Sequence, residues 1–145
     1  MKAVLQRVRT GRVSIEGRGV SAIGKGFVIL LGVGRGDRSA DAEWLADKIA
    51  GLRLFEDSAG KMNLSLADVS GEVLVVSQFT LYADTRKGRR PSFTDAADPA
   101  IAQQLFEVFT NRLRDHELVV REGIFGAHML VEIENDGPVT ILLDR

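Results

Sequence analysis

The sequence predicts an α+β fold: a mainly antiparallel sheet, barrel-like or sandwiched, covered by two amphipathic helices. Two observations carry that expectation. Apolar and polar residues alternate through much of the chain at the period of a half-buried strand, as in "KAVLQRVR" (2–9) and "AHMLVEIE" (127–134). Two stretches switch to helical spacing, each with a single apolar stripe to bury. At 145 residues, with no repeat, linker or low-complexity tract, the chain reads as a single domain over 1–145. Folding should bury roughly two thirds of the surface that the unfolded chain exposes.

Taken in order, "KAVLQRVR" and "RVSIEG" flank Thr10-Gly11 as a hairpin, and "GVSAIGKGFVILLGVG" (19–34) continues with one or two strands. A helix is expected from about Ser39, which would cap it; Ala42, Leu45, Ala46, Ile49 and Leu52 form its stripe and Gly51 lies near its end. "LRLFED" (52–57) and "EVLVVSQF" (72–79) read as strands. Asp98-Pro99, a cap followed by a first-turn proline, announces the second helix, with Ile101, Leu105, Val108, Phe109 and Leu113 on its buried side. Three strands close the chain: "ELVVRE", "AHMLVEIE" and "VTILLD". In the middle one, Met129, Val131 and Ile133 share one face, with His128, Leu130, Glu132 and Glu134 on the other. Each helix is expected to cover a face of the sheet.

Composition removes several function classes. There is no cysteine, hence no disulfide framework, thiol nucleophile or cysteine-based zinc site. His, Asp and Glu do not recur at metal-ligand spacing, and no Gly-x-Ser-x-Gly elbow occurs, so neither a metal nor a cofactor is implied. His116 and His128 read as structural or surface histidines. The longest apolar run, "FVILLGVG" (27–34), is too short to span a bilayer, and the opening residues lack a signal peptide's apolar core. The expectation is a cytoplasmic protein with no membrane partner.

"FVILLGVGRGD" imitates a dinucleotide-binding turn, but Asp37 stands where that fingerprint needs its third glycine, and a carboxylate there would repel phosphate. Gly32, Gly34 and Gly36 are therefore read as turn residues.

Two other stretches carry chemistry. In "VLVVSQFTLYADTRKGRR" (73–90) a strand ends in Ser77, Gln78, Phe79 and Thr80, followed by Arg86, Lys87, Arg89 and Arg90. Hydroxyls, an amide and an aromatic ring beside cations suit a single-stranded RNA end, which offers base edges, π-faces and phosphates. A solvated basic loop after an ordinary strand end is the plainer alternative. Net charge is -1, so nucleic-acid binding would have to rest on a local patch. In "ENDGPVTILL" (134–143), Asp136-Gly137 would be a two-residue hairpin turn, except that Pro138 lacks the N–H needed to close it. A rigid Gly137-Pro138 corner, cis or kinked, is expected in its place.

"SQFTLYAD" at 77–84 together with "NDGPVT" at 135–140 resembles the two signature motifs of the D-aminoacyl-tRNA deacylase family, and the opening "MKAVLQRV" is similar too. The resemblance implies a cytoplasmic homodimeric hydrolase that cleaves the ester joining a D-amino acid, or glycine, to the 3′-terminal adenosine of tRNA. It implies that Ser77, Gln78, Phe79 and Thr80 line the pocket for the adenosine and the ester. It also implies that Gly137 and Pro138 form a cis corner set into the partner's pocket, where the Gly137 carbonyl excludes an L side chain. Arg7 would help to anchor that corner across the interface, although by residue type an exposed strand charge is the simpler expectation. The amides of Phe79 and Thr80 are the candidate oxyanion donors. The alternatives are a non-catalytic binder of the tRNA end and a small-molecule esterase with Thr80 as nucleophile.

Overall fold

The computed structural model describes residues 1–145. Its elements are β1 (Lys2–Ile15), β2 (Arg18–Ile23), β3 (Gly26–Gly32), α1 (Ser39–Ala50), β4 (Phe55–Glu56), β5 (Met62–Leu64), β6 (Glu72–Ser77), a 3-10 turn (Phe79–Tyr82), α2 (Pro99–Asp115), β7 (Val119–Glu122) and β8 (Leu130–Asp144). The α+β class and the barrel-like sheet are as the sequence predicts.

β1 organises the sheet. Its first half pairs antiparallel with β3, its second half with β2, and β8 runs antiparallel along its other edge. β3–β6 and β6–β7 are parallel, so the sheet is mixed, with order β2-β1-β3-β6-β7. Curling brings the outer strands β2 and β7 together, where the Ser21 hydroxyl donates to the Glu122 carbonyl at 2.9 Å. This nearly closes the sheet into a barrel.

β3 is buried on both faces, and period-two alternation divides its side chains between two cores. Phe27, Ile29 and Leu31 join Ala3, Leu5, Val73 and Val75 under the helices. Val28 joins Val8, Val13, Leu74 and Val76 inside the curl, where Met129, Val131 and Ile133 of the β8 segment close over them. Both helices therefore lie on one face, and the other face is covered by the sheet itself rather than by a helix.

In α1, Ala42, Leu45, Ala46 and Ile49 are buried, as their spacing predicts. Ser39 is the first helical residue and Arg38 the cap; the Asp41 carboxylate accepts the Arg38 backbone N–H at 3.0 Å, the reciprocal half of a capping box. α2 begins at Asp98-Pro99 as expected. Its buried face is Ala102, Leu105, Phe106, Phe109 and Leu113, while Ile101 is exposed, so the stripe is rotated slightly from the one read in the sequence. "LRLFED" supplies only the two residues of β4, paired with β5 in a small ribbon.

The chain does not reverse at Thr10-Gly11. β1 runs straight through, and a Cβ on Gly11 would come within 2.5 Å of Val28 Cγ2, so this glycine serves close strand packing. The reversal falls at Glu16-Gly17, with φ of 50° and 76°, the positive pair that a tight hairpin turn requires. "AHMLVEIE" and "VTILLD" are likewise parts of one strand. No helix is long and apolar enough to cross a membrane.

Candidate active site

Ser77 ends β6, and the Gln78 N–H extends the ladder by donating to the Leu31 carbonyl at 2.7 Å. The chain then winds into the 3-10 turn. Its first internal bond runs from the Leu81 N–H to the Gln78 carbonyl, so the preceding amides of Phe79 and Thr80 have no acceptor within the turn. The turn lies across the end of β3, where a Cβ on Gly34 would meet the Tyr82 ring at 2.5 Å. Asp37 holds this arrangement, accepting the Gly34 N–H at 2.7 Å, the Met1 ammonium at 2.8 Å and the Tyr82 hydroxyl at 3.4 Å. Burial and the neighbouring Asp37 carboxylate push the Tyr82 phenol well above its ordinary range, so it remains a neutral donor. The glycine-rich stretch that imitates a nucleotide loop is thus the seat of the 3-10 turn.

Ser77, Gln78 and Phe79 line a cavity of about 630 Å³. Its apolar wall includes Val33, Phe93, Phe125, Met129 and Val131, and its polar groups include Arg35, Asp98 and His128. Phe79, 55% exposed, stands edge-on to Phe93 with ring centroids 5.1 Å apart, which leaves aromatic surface free for a flat ligand. Thr80 is not part of this wall; its hydroxyl accepts a hydrogen bond from the Gln78 side-chain amide. An amide cannot remove a proton, and no His, Asp or Glu side chain hydrogen-bonds that hydroxyl.

Gly137-Pro138 is a cis peptide. The corner is a bulge in β8: Gln6 pairs with Thr140 and Val8 with Asn135, so residues 136–139 stand opposite Arg7 alone. Asn135 closes the neck by side chain, its Oδ1 accepting the Val139 N–H at 2.8 Å and its Nδ2 donating to the Val139 carbonyl at 3.1 Å. Arg7 lies beneath, 6% exposed, with Nε donating to the Asp136 carbonyl at 2.9 Å and Nη1 to the Leu54 carbonyl at 2.6 Å. The expectation of an exposed strand charge is therefore wrong for Arg7, and its contact with the corner is made within its own chain.

Within one chain the two motifs do not meet. Gly137 and Pro138 line a separate, polar groove of about 800 Å³ with Arg7, Arg9, Glu56 and Asn135. Asn135 and His128 are the residues that sequence reasoning missed. A side-chain amide just before a bulge could have flagged the first, while nothing local marks a strand-end histidine as a cavity residue. His116 is structural, its Nε2 2.7 Å from Asp47 Oδ1 between the helices. No group of three or more His, Asp or Glu side chains gathers as a metal site.

A mostly apolar cavity edged by hydroxyl, amide and unpaired main-chain donors suits a flat, hydroxyl-bearing, neutral ligand joined to a polarisable carbonyl. The comparisons define the relationship more closely. The family described as D-Tyr-tRNA(Tyr) deacylase matches residues 4–144, and the chain belongs to that family. It is 60% identical to a D-aminoacyl-tRNA deacylase of Heliobacterium modesticaldum, over 99% of this chain and 96% of that one. It is 55% identical to the protein of the same name from Thermosipho africanus, over 99% and 97%. Among solved structures, a c-Myc DNA unwinding element binding protein superposes with TM-score 0.93 at 43% identity, covering 100% of this chain and 99% of that one. A structure described as "a probable eukaryotic D-amino acid tRNA deacylase" superposes with TM-score 0.83 at 17% identity, over 99% and 98%, a likeness of fold alone.

Proposed function

We propose that this protein is a D-aminoacyl-tRNA deacylase, acting in the cytoplasm as a single-domain homodimer on D-aminoacyl and glycyl esters of the tRNA 3′-terminal adenosine. The observation that carries the reading is the pair of uncommitted amides, that of Phe79 in the wall of the cavity and that of Thr80 next to it in the 3-10 turn, in a wall that offers no nucleophile paired with a base.

An aminoacyl ester is already activated, so its hydrolysis needs orientation and stabilisation of the developing oxyanion more than a strong base. The Phe79 and Thr80 N–H groups would receive the oxyanion, a role for which one such donor contributes roughly 10²–10³-fold in rate. Ser77 and Gln78 would hydrogen-bond the adenosine, with Phe79 offering an aromatic face. Water attacks the ester carbonyl, the 2′-hydroxyl beside the ester helps to orient it, and the tetrahedral intermediate collapses to the free amino acid and the ribose hydroxyl.

Selection would come from the other motif. Gly137 and Pro138, held from below by Arg7 and across the neck by Asn135, form a main-chain projection that would enter the cavity of a second subunit. There the Gly137 carbonyl would occupy the space that an L side chain needs, while a D side chain points away; the wrong hand is rejected by a built-in clash. Glycine, with no side chain, passes the same filter. Leu142 and Leu130, 77% and 64% exposed towards the two ends of β8, would supply apolar surface for the subunit contact.

Release of tyrosine from D-tyrosyl-tRNA, compared with hydrolysis of D-tyrosine methyl ester, tests the reading. A deacylase of this kind acts on the first and ignores the second. Turnover of the free ester at a similar rate would make it a general esterase, and tRNA binding without release would make it a binder only.

A further inference from the structure

The basic loop has no part in the site just described, yet the fold fastens it to the cavity wall. Asp84 and Ser92 form an antiparallel bridge, with Asp84 N–H to Ser92 carbonyl 2.7 Å and Ser92 N–H to Asp84 carbonyl 2.9 Å. The next residue, Phe93, lines the cavity and packs against Phe79. Three residues of extended chain span at most about 11 Å, so the Arg90 backbone is held within that distance of the wall.

The four cations of this loop are not equivalent. Arg86 is committed to Asp84, whose carboxylate accepts its backbone N–H at 3.0 Å, its Nε at 2.9 Å and its Nη2 at 2.8 Å. These bonds hold the Asp84 carboxyl far below the usual carboxylate range, so the pair stays ionised and neutralises itself. Lys87, Arg89 and Arg90 are exposed and form no ion pair with any carboxylate. A protein of net charge -1 thus presents three free cations in four residues, beside the mouth of a pocket whose proposed ligand is a nucleoside.

We infer that Lys87, Arg89 and Arg90 form a phosphate clamp for the single-stranded 3′ end of tRNA, gripping the backbone of the nucleotides that precede the terminal adenosine. Arg86 and Asp84 shape the loop and contact no phosphate. The inference rests on the proposed deacylase reading for the identity of its ligand. Affinity arises largely from counterion release, with a salt exponent of about 0.7 for each neutralised phosphate on a single strand. Three contacts correspond to an exponent of about 2, or roughly twentyfold in affinity between 50 and 200 mM salt.

The experiment uses the full chain and a K87A/R89A/R90A variant. The first measurement is binding of uncharged tRNA from 50 to 200 mM salt. The clamp predicts that the variant binds more weakly at every salt concentration and that its log–log salt slope is shallower by about 2 units. Equal slopes would overturn it, as would a loss of duplex DNA binding matching the loss for tRNA, which would mark a general polyanion patch. The second measurement is hydrolysis of 3′-O-D-tyrosyl-adenosine, which has no phosphate. The clamp predicts an unchanged rate for the variant, which also reports that it is folded; a parallel loss on this substrate would overturn it by making the loop a support for the pocket. Should the wild-type protein hydrolyse neither substrate, the deacylase reading fails, and the binding slopes still decide the clamp.

Discussion

The Arg7 guanidinium donates through Nε to the Asp136 carbonyl at 2.9 Å, from a position almost closed to solvent, and so fixes the underside of the corner that carries Gly137 and Pro138. A second bond to the Leu54 carbonyl at 2.6 Å ties the same guanidinium to the segment before β4. No lysine can reproduce both bonds, because an ammonium is a point donor and the guanidinium a planar fork.

Arg7→Lys is therefore expected to lower stability by about 1.5–3 kcal/mol, the range for one charged hydrogen bond lost, as read from urea unfolding. Deacylation of D-tyrosyl-tRNA should fall with it. Wild-type stability together with wild-type rate would remove Arg7 from the account.

The oxyanion role proposed for the Phe79 amide can be tested without disturbing the fold. Gln78 has φ -140° and ψ 78°, outside the helical region, so a proline can follow it, and the Phe79 N–H has no acceptor within the turn to lose. Phe79→Ala removes the ring; Phe79→Pro removes the ring and the donor. The proline variant should be slower than the alanine variant by roughly 10²–10³-fold in single-turnover deacylation. Equal rates would show that this amide is not a donor to the reaction.

Thr80→Ala should retain most activity, since the threonine hydroxyl has only the Gln78 amide as a partner and no base. A folded Thr80→Ala protein with no activity at all would point to covalent catalysis through Thr80.

Gly137 has φ +142°, and a Cβ there would come within 2.7 Å of Val139 Cγ2 and 2.9 Å of the Val139 nitrogen. Gly137→Ala is thus expected to displace the corner, at a cost of about 1–3 kcal/mol in unfolding free energy. Discrimination between D- and L-tyrosyl-tRNA should narrow, which parallel deacylation assays would detect.

Asp47 sits between α1 and α2, and hydrogen bonds from Arg112 and His116 lower its pKa to about 2. A depressed carboxylate contributes stability that is full above its unfolded pKa of about 4 and disappears as pH falls through about 2. The side chain is 42% exposed, so solvent screening limits the contribution to about 1 kcal/mol or less. The stability gap between wild type and Asp47→Asn should accordingly close between pH 4 and pH 2 in urea titrations; a gap that widened there would reverse the sign of the assignment.

Local signals proved sufficient where local chemistry decides the outcome. Asp98-Pro99 starts α2 because the proline needs no hydrogen-bond acceptor there and its φ suits a first turn. Alternation places Met129, Val131 and Ile133 on the inner face. Longer-range packing was not legible. Thr10-Gly11 looks like a turn, but Gly11 is small because Val28 crosses it, and the partner strand is remote in sequence. Ile101 fits the helical stripe yet is exposed, because α1 and the sheet accept Ala102 and Phe106 instead. Arg7 could not be recognised as buried from its neighbours in sequence, since the carbonyls that receive it belong to residues 54 and 136.

The central claim is that a main-chain corner, and not a chemical group, decides which hand of amino acid is removed. Initial rates of deacylation of D-tyrosyl-tRNA and L-tyrosyl-tRNA by the same preparation test it most directly. The account predicts rapid release from the D ester and release from the L ester no faster than in buffer alone; comparable enzymatic release from both would contradict it.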